Sequence, residues 1–193
     1  VNLAYMYFHS MIESSLHTIR LTLQLISNSD LQFIHELLSH AQTDRNNALG
    51  IPESLEDTIS MVEPWINENQ KETILNHKWV VEDVKNDQKI GLFGLRLSND
   101  KYNRGEVWYK NHPNQWNKGY ATEVLNRVLD FGFDDYNLHR IQAGCAFENI
   151  ASRDVLEKIG MIKEGRGKKI PSLKSGWSHN FEYSILESDP RKK

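Results

Sequence analysis

The sequence is poor in cysteine: Cys145 is the only one in 193 residues, which excludes an intrachain disulfide and a thiolate metal cluster. A lone thiol fits a reducing compartment. Also missing is any run of about 18 apolar residues able to span a bilayer. The segment Val1–Ser10 carries neither a basic n-region nor a small-residue cleavage site, so it does not read as a secretory signal. Together these absences suggest a soluble, cytoplasmic protein with no membrane partner. There is no basic excess either: 23 Lys and Arg stand against 26 Asp and Glu, a formal charge of -3. Binding to a phosphate backbone draws on a positive surface, so nucleic acid is not expected as a partner.

Two familiar phosphate motifs are absent. No G-x-G-x-x-G follows a strand pattern, and the spacing from Gly160 to Gly165 continues into Arg166-Gly167 where Lys and Ser or Thr are required. The eight histidines, His9, His17, His35, His40, His77, His112, His139 and His179, show no H-E-x-x-H or other ligand spacing. No metal is therefore expected.

What is present suits one packed domain. Leu, Ile, Val and Phe make up about a quarter of the chain, above the roughly 20% below which chains tend to stay disordered. A length of 193 residues fits a single unit, with residues 1–15 as an N-terminal extension, 16–187 as the domain and 188–193 as a tail. Met11 suggests itself as a natural start, which would leave Val1–Ser10 outside the fold.

Ile19, Leu21, Leu23 and Leu25 alternate with polar residues and predict a first strand. Asp30 then reads as the cap of a helix bearing Leu31, Ile34, Leu37, Leu38 and Ala41 on one face. Ser54 with Asp57 forms a capping-box variant before Leu55, Ile59, Val62 and Ile66. Trp79–Val84 and Ile90–Leu97 flank a turn at Asn86-Asp87, and Glu106–Tyr109 follows as a further strand. Ala121, Val124, Leu125, Val128 and Leu129 recur at helical spacing. A strand through Ile141, Ala143 and Cys145, a helix Ser152–Ile159 stopped by Gly160, and strands Met161–Glu164 and Phe181–Leu186 complete the order β-α-α-β-β-β-α-β-α-β-β. That order predicts an α/β domain with a mixed sheet.

The strand Glu106–Tyr109, the loop Lys110–Lys118 and the helix opening at Gly119 form a strand, loop, helix unit. A helix N-terminus presents unpaired N–H groups and the positive end of the dipole, so the junction suits a phosphate, although an ordinary loop has the same spacing. Lys163, Arg166, Lys168, Lys169 and Lys174 cluster around Gly165, Gly167 and Gly176. They read either as a solvated charged face or as a basic loop contacting phosphate or an acidic substrate.

Taken in order, several blocks resemble the GNAT superfamily of acyl-CoA-dependent N-acetyltransferases, in its RimJ/RimL-like branch. They are Gly105–Tyr109, Pro113, Trp116–Glu123, Leu138–Ile141, Glu148–Ser152 and Val155–Met161, within a resemblance running from about Leu16 to Leu186. The resemblance implies acetyl-CoA as cofactor and an amine acceptor. It also implies that the segment from Trp116 to Thr122 binds the CoA pyrophosphate, with the backbone N–H groups of Asn117, Lys118, Gly119, Tyr120 and Ala121 cradling the phosphates. Tyr109 and Lys110 would pair with the pantetheine arm through their backbone, Asn149 would bond that arm from the other side, and Ser152 would stand near the sulfur as the candidate acid. Trp116 and Asn117 depart from the commoner family residues. Leu156 stands where many relatives have a tyrosine that protonates the thiolate, and Gly165–Phe181 contains no carboxylate, with His179 at a position more often Asp.

An ammonium has no lone pair, so transfer needs a base, and Glu106 is the first candidate, with Glu148 behind it. A backbone N–H near Tyr109 or Lys110 would stabilise the oxyanion. Cys145, inside a predicted strand, reads as a packed hydrophobe rather than an acetylated nucleophile, which favours direct transfer in a ternary complex. The expected acceptor is a peptide or protein N-terminal α-amine, ribosomal proteins included, ahead of a small amine or antibiotic. An acyl-CoA-binding sensor without catalysis is the reading from another class, and the expected assembly is a monomer or homodimer.

Overall fold

The computed structural model describes residues 15–44, 50–98, 101–173 and 176–191, with the side chains of 43, 44 and 169–178 left aside. In chain order it contains β1 (Ser15–His17), β2 (Leu21–Leu25), a 3-10 turn (Asn28–Asp30), α1 (Leu31–Ser39), α2 (Ala41–Asp44) and α3 (Leu55–Glu68). Strands β3 (Asn76–Asp83), β4 (Lys89–Leu97) and β5 (Arg104–Asn111) follow, then a 3-10 turn (Pro113–Gln115) and α4 (Tyr120–Asp130) with a π-helical turn (Phe131–Asp135). The chain ends with β6 (Arg140–Ala146), α5 (Ile150–Lys158), β7 (Ile162–Leu173) and β8 (Gly176–Leu186).

The strands form one sheet in the order β1-β2-β3-β4-β5-β6-β8-β7. All neighbours are antiparallel except β5 and β6, which run parallel and pair only over Arg104–Glu106 and Arg140–Gln142. Both strands continue beyond that seam, β5 to Asn111 along β4 and β6 to Ala146 along β8, so they part and leave a gap.

Helices cover both faces because the strands are apolar on both. On one face α1 and α3 bury Ile34, Leu37, Leu38, Val62 and Ile66 against Val80 and Leu92. On the other, Val124, Leu125, Val128 and Leu129 of α4 and Leu156 of α5 pack on Trp79, Phe93, Leu95, Ile141 and Tyr183. Each fully buried Leu, Ile or Val contributes about 1.5–3 kcal/mol. No described helix is long and apolar enough to cross a membrane.

Several expectations need correcting. The first strand is two: Ile19 is 94% exposed in the turn between β1 and β2, and Leu16 is buried in its place. The alternation was real, but Thr18 turns the chain, accepting from Leu21 N–H through its hydroxyl. Asp30 holds the N-cap position of α1 but gives it no side-chain hydrogen bond; its carboxylate accepts instead from Ser27 N–H and from Lys89. The Ser54–Asp57 box is present in both directions, at 3.1 Å each way, although Thr58 rather than Ile59 faces the core. Residues expected as a basic loop extend β7 and β8 into a long hairpin, where Lys163 lies over the Phe181 ring and Arg166 over Phe147. The tail is anchored at Arg191, which pairs with Asp130 at 2.5 Å. Val1–Ser10 and Lys174 lie outside the described residues.

Candidate active site

The gap between β5 and β6 is where sequence-distant polar groups meet. From one wall, the Tyr109 hydroxyl stands 3.0 Å from Ser152 Oγ on α5. The Tyr109 ring stacks on Phe93 with centroids 5.5 Å apart, which fixes its direction. Burial pushes the phenol up to about 12, so it keeps its proton. From the other wall, Asn149 caps α5, its side-chain oxygen accepting Ser152 N–H at 3.1 Å. Three of the expected residues, Tyr109, Asn149 and Ser152, are thus one connected group. Leu156 is a core residue, 1% exposed, with no polar atom to offer.

Past β5 the chain runs through the expected phosphate loop. Asn117 and Gly119 both have left-handed backbone, φ 61° and 78°, on either side of Lys118. Glycine adopts this conformation freely and asparagine more readily than most residues, so the sequence suits the turn. Gly119 caps α4, an 11-residue helix whose first N–H groups have no partner within the helix. Trp116 donates its indole N–H to Asn111 O at 3.0 Å, and Lys118 Nζ bonds Gln115. Ala121 is buried in the core, with Thr122 beside it on the first turn of α4. The Tyr120 ring lies under Arg20, 4.7 Å away, and its hydroxyl donates to Asp83 at 2.8 Å.

A clamp that sequence reading misses holds this turn. Glu123, in the first turn of α4, accepts from Thr18 Oγ1, Arg20 N and Arg20 Nε, while Arg20 also donates to Lys118 O. Burial alone would raise the Glu123 carboxyl, but the Thr18 and Arg20 hydrogen bonds outweigh it and hold it below the usual range. The hint was an acid near a helix start; nothing in the spacing pointed to Arg20.

Glu106 stands apart from Ser152. It sits at the last rung of the seam, ion-paired with Arg96 across β4, in an open groove of about 210 Å³ shared with Ser98, Arg104 and Gln142. Strand alternation puts it with Trp108 on the α1–α3 side, whereas Tyr109 faces the α4–α5 side. Trp108 lies over Gly94, where a Cβ would come within 2.3 Å of the indole, and meets Trp65 of α3 at 6.0 Å. Lys110, two residues further along β5, is buried. Glu148 is exposed just before the Asn149 cap, and His179 O accepts from Phe147 N–H. Cys145 is buried, and burial pushes its thiol up to about 11, which leaves little thiolate at neutral pH.

One described cluster has metal-ligand types: Glu36, His40 and His112, with the two histidine Nε2 atoms 3.0 Å apart. His112 Nδ1 accepts from Asn114 N–H at 3.2 Å, and its Nε2 lies 3.4 Å from Glu36 Oε1 as well as beside His40.

The domain family described as "Acetyltransferase (GNAT) domain" matches residues 20–162. This chain belongs to the GNAT family. It is accordingly an acetyl-CoA-dependent N-acetyltransferase, with the mixed α/β fold of that family. It is 34% identical over 174 residues, 89% of this chain and 96% of the other, to "Uncharacterized N-acetyltransferase YnaD" of Bacillus subtilis. It is 30% identical to a Vibrio cholerae spermidine N(1)-acetyltransferase, over 76% of this chain and 81% of that one. The crystal structure of spermidine N-acetyltransferase from Vibrio cholerae in complex with CoA and spermine superposes with a TM-score of 0.77 at 27% identity, covering 89% and 98% of the two chains. The features of this GNAT chain fit an acyl-CoA: a strand edge open past Glu106, a hydroxyl pair at its mouth, and a helix N-terminus preceded by two left-handed residues.

Proposed function

We propose that this protein acetylates a small cationic alkylamine, of the diamine or polyamine class, by direct transfer from acetyl-CoA. The observation that carries the acceptor class is charge. From Ser27 to Glu72, the stretch containing α1 and α3, nine carboxylates face only two cations, Arg45 and Lys71, although the whole chain has a net charge of just -3. A wall of one sign concentrates ligands of the other. The spermidine acetyltransferase relatives point the same way, so the small amine moves ahead of the peptide α-amine, while the RimJ/RimL-like motif kinship is kept.

In this reading the CoA pyrophosphate rests on the Trp116–Thr122 backbone at the start of α4, and the pantetheine arm pairs with β5 near Tyr109 and Lys110 and meets Asn149. The thioester then lies in the gap beside Ser152. The amine enters from the α1–α3 side and passes its proton through water to Glu106. Its lone pair attacks the carbonyl, and the backbone of β5 supplies the oxyanion donor.

The test has two steps. Saturating acetyl-CoA, at ~100 times its dissociation constant, should raise the unfolding midpoint by roughly 5–10 °C, which an unrelated nucleotide should not do. Turnover is then measured against diamines, polyamines, an aminoglycoside and peptides with free N-termini. Preference for the polycationic small amines supports the proposal; preference for peptides restores the α-amine reading. Binding of acetyl-CoA with no turnover on any acceptor would identify a sensor module.

A further inference from the structure

We propose that Tyr109 is a positioning residue for catalysis: its hydroxyl donates to Ser152 Oγ and thereby aims the serine O–H at the departing CoA sulfur. This rests on the acetyltransferase reading above and adds a side-chain role where only the Tyr109 backbone had one. Tyr109 and Ser152 lie on different elements, 43 residues apart, and their hydroxyls meet at 3.0 Å between β5 and α5. Neither is free to drift. The tyrosine ring is stacked on Phe93, and the serine backbone is tied to the Asn149 side chain.

A hydroxyl carries one hydrogen, so direction matters. Both hydroxyls carry a hydrogen, and the phenol O–H is the stronger donor while the alkyl hydroxyl oxygen is the better acceptor, so the donor role falls to Tyr109. Ser152 Oγ then accepts, and its own hydrogen is left for a partner on the open side. Leu156, one turn further along α5, has no hydroxyl to compete for that task.

The chemistry balances without an added reagent. The amine nitrogen forms the new C–N bond, the C–S bond breaks, and its electron pair goes to sulfur. Ser152 donates a hydrogen bond to that sulfur while Tyr109 retains its proton. The hydrogen shed by the nitrogen leaves through water, and the released thiolate takes one from water.

A double-mutant cycle on the full chain tests this. Ser152→Ala should lower kcat by about 10- to 100-fold, and Tyr109→Phe by about tenfold, each with an unchanged dissociation constant for CoA. Tyr109→Phe keeps the ring on Phe93, and its unfolding midpoint reports whether the fold is intact. In the Ser152→Ala background, Tyr109→Phe should cost nothing further, because its effect passes through the serine. Unchanged kcat in Tyr109→Phe, or a full additional loss in the double variant, would overturn the proposal. Those results differ from failure of the acetyltransferase reading, which appears as wild-type protein that turns over no amine and defeats both together.

Discussion

His77 shows how far one side chain can set solution behaviour. It is 2% exposed, stacked on Trp79 and edge-on to Phe131, and its Nε2 lies 2.8 Å from the Tyr136 hydroxyl. Burial pushes its pKa down to about 4, so it is neutral in the fold, whereas the unfolded chain takes up a proton near pH 6.5. The linked stability is complete above about pH 6.5 and is lost as pH falls toward 4, to an extent of about 3 kcal/mol. Denaturant unfolding across that window should show the decline. His77→Phe should remove most of the slope while costing about 1 kcal/mol at pH 7.5 through the Tyr136 hydrogen bond, and a wild-type profile flat from pH 7 to 4.5 would contradict this account. At this scale sequence reading finds residue types but not encounters. Ser152 and Asn149 were legible as a pair because they share one helix start, while the Tyr109 hydroxyl reaches Ser152 only once β5 and α5 are folded together.

The helix start at α4 depends on a turn about a hundred residues earlier. Arg20 and Thr18, between β1 and β2, hold Glu123 and the Lys118 carbonyl, so the proposed phosphate loop is braced from outside its own segment. Arg20→Ala should lower stability by only about 1 kcal/mol, since the arginine is partly solvated. The same change should weaken acetyl-CoA binding by roughly three- to tenfold, measured by titration calorimetry. Equal CoA affinity in the variant would show that the loop holds its shape unaided. Elements with strong periodicity, α3 with its capping box and the strands through Val80 and Ile141, were legible because a buried face repeats along them. The β1–β2 turn was hidden because Ile19 continues the alternation while facing solvent, and the far ends of β7 and β8 because their glycines and lysines lack the apolar signature of a strand.

For the whole molecule, the uneven placement of charge is the feature with a kinetic signature. If the acidic stretch from Ser27 to Glu72 draws in the acceptor, raising salt from 50 to 500 mM should increase KM for a polyamine by about three- to tenfold, with kcat little changed. A monoamine carrying one charge should respond less. Equal salt response for both acceptors would remove charge as the basis of selection.

Beyond Glu106 the outer edge of β5 has no strand beside it, and elsewhere in biology such an edge is a place where stray chains attach. Most proteins hide this feature; in the proposed function it has to stay uncovered between turnovers. Close to that edge the Tyr109–Ser152 contact ties β5 to α5. On that proposal the opening that admits a substrate arm also has to be kept from becoming a site of self-aggregation.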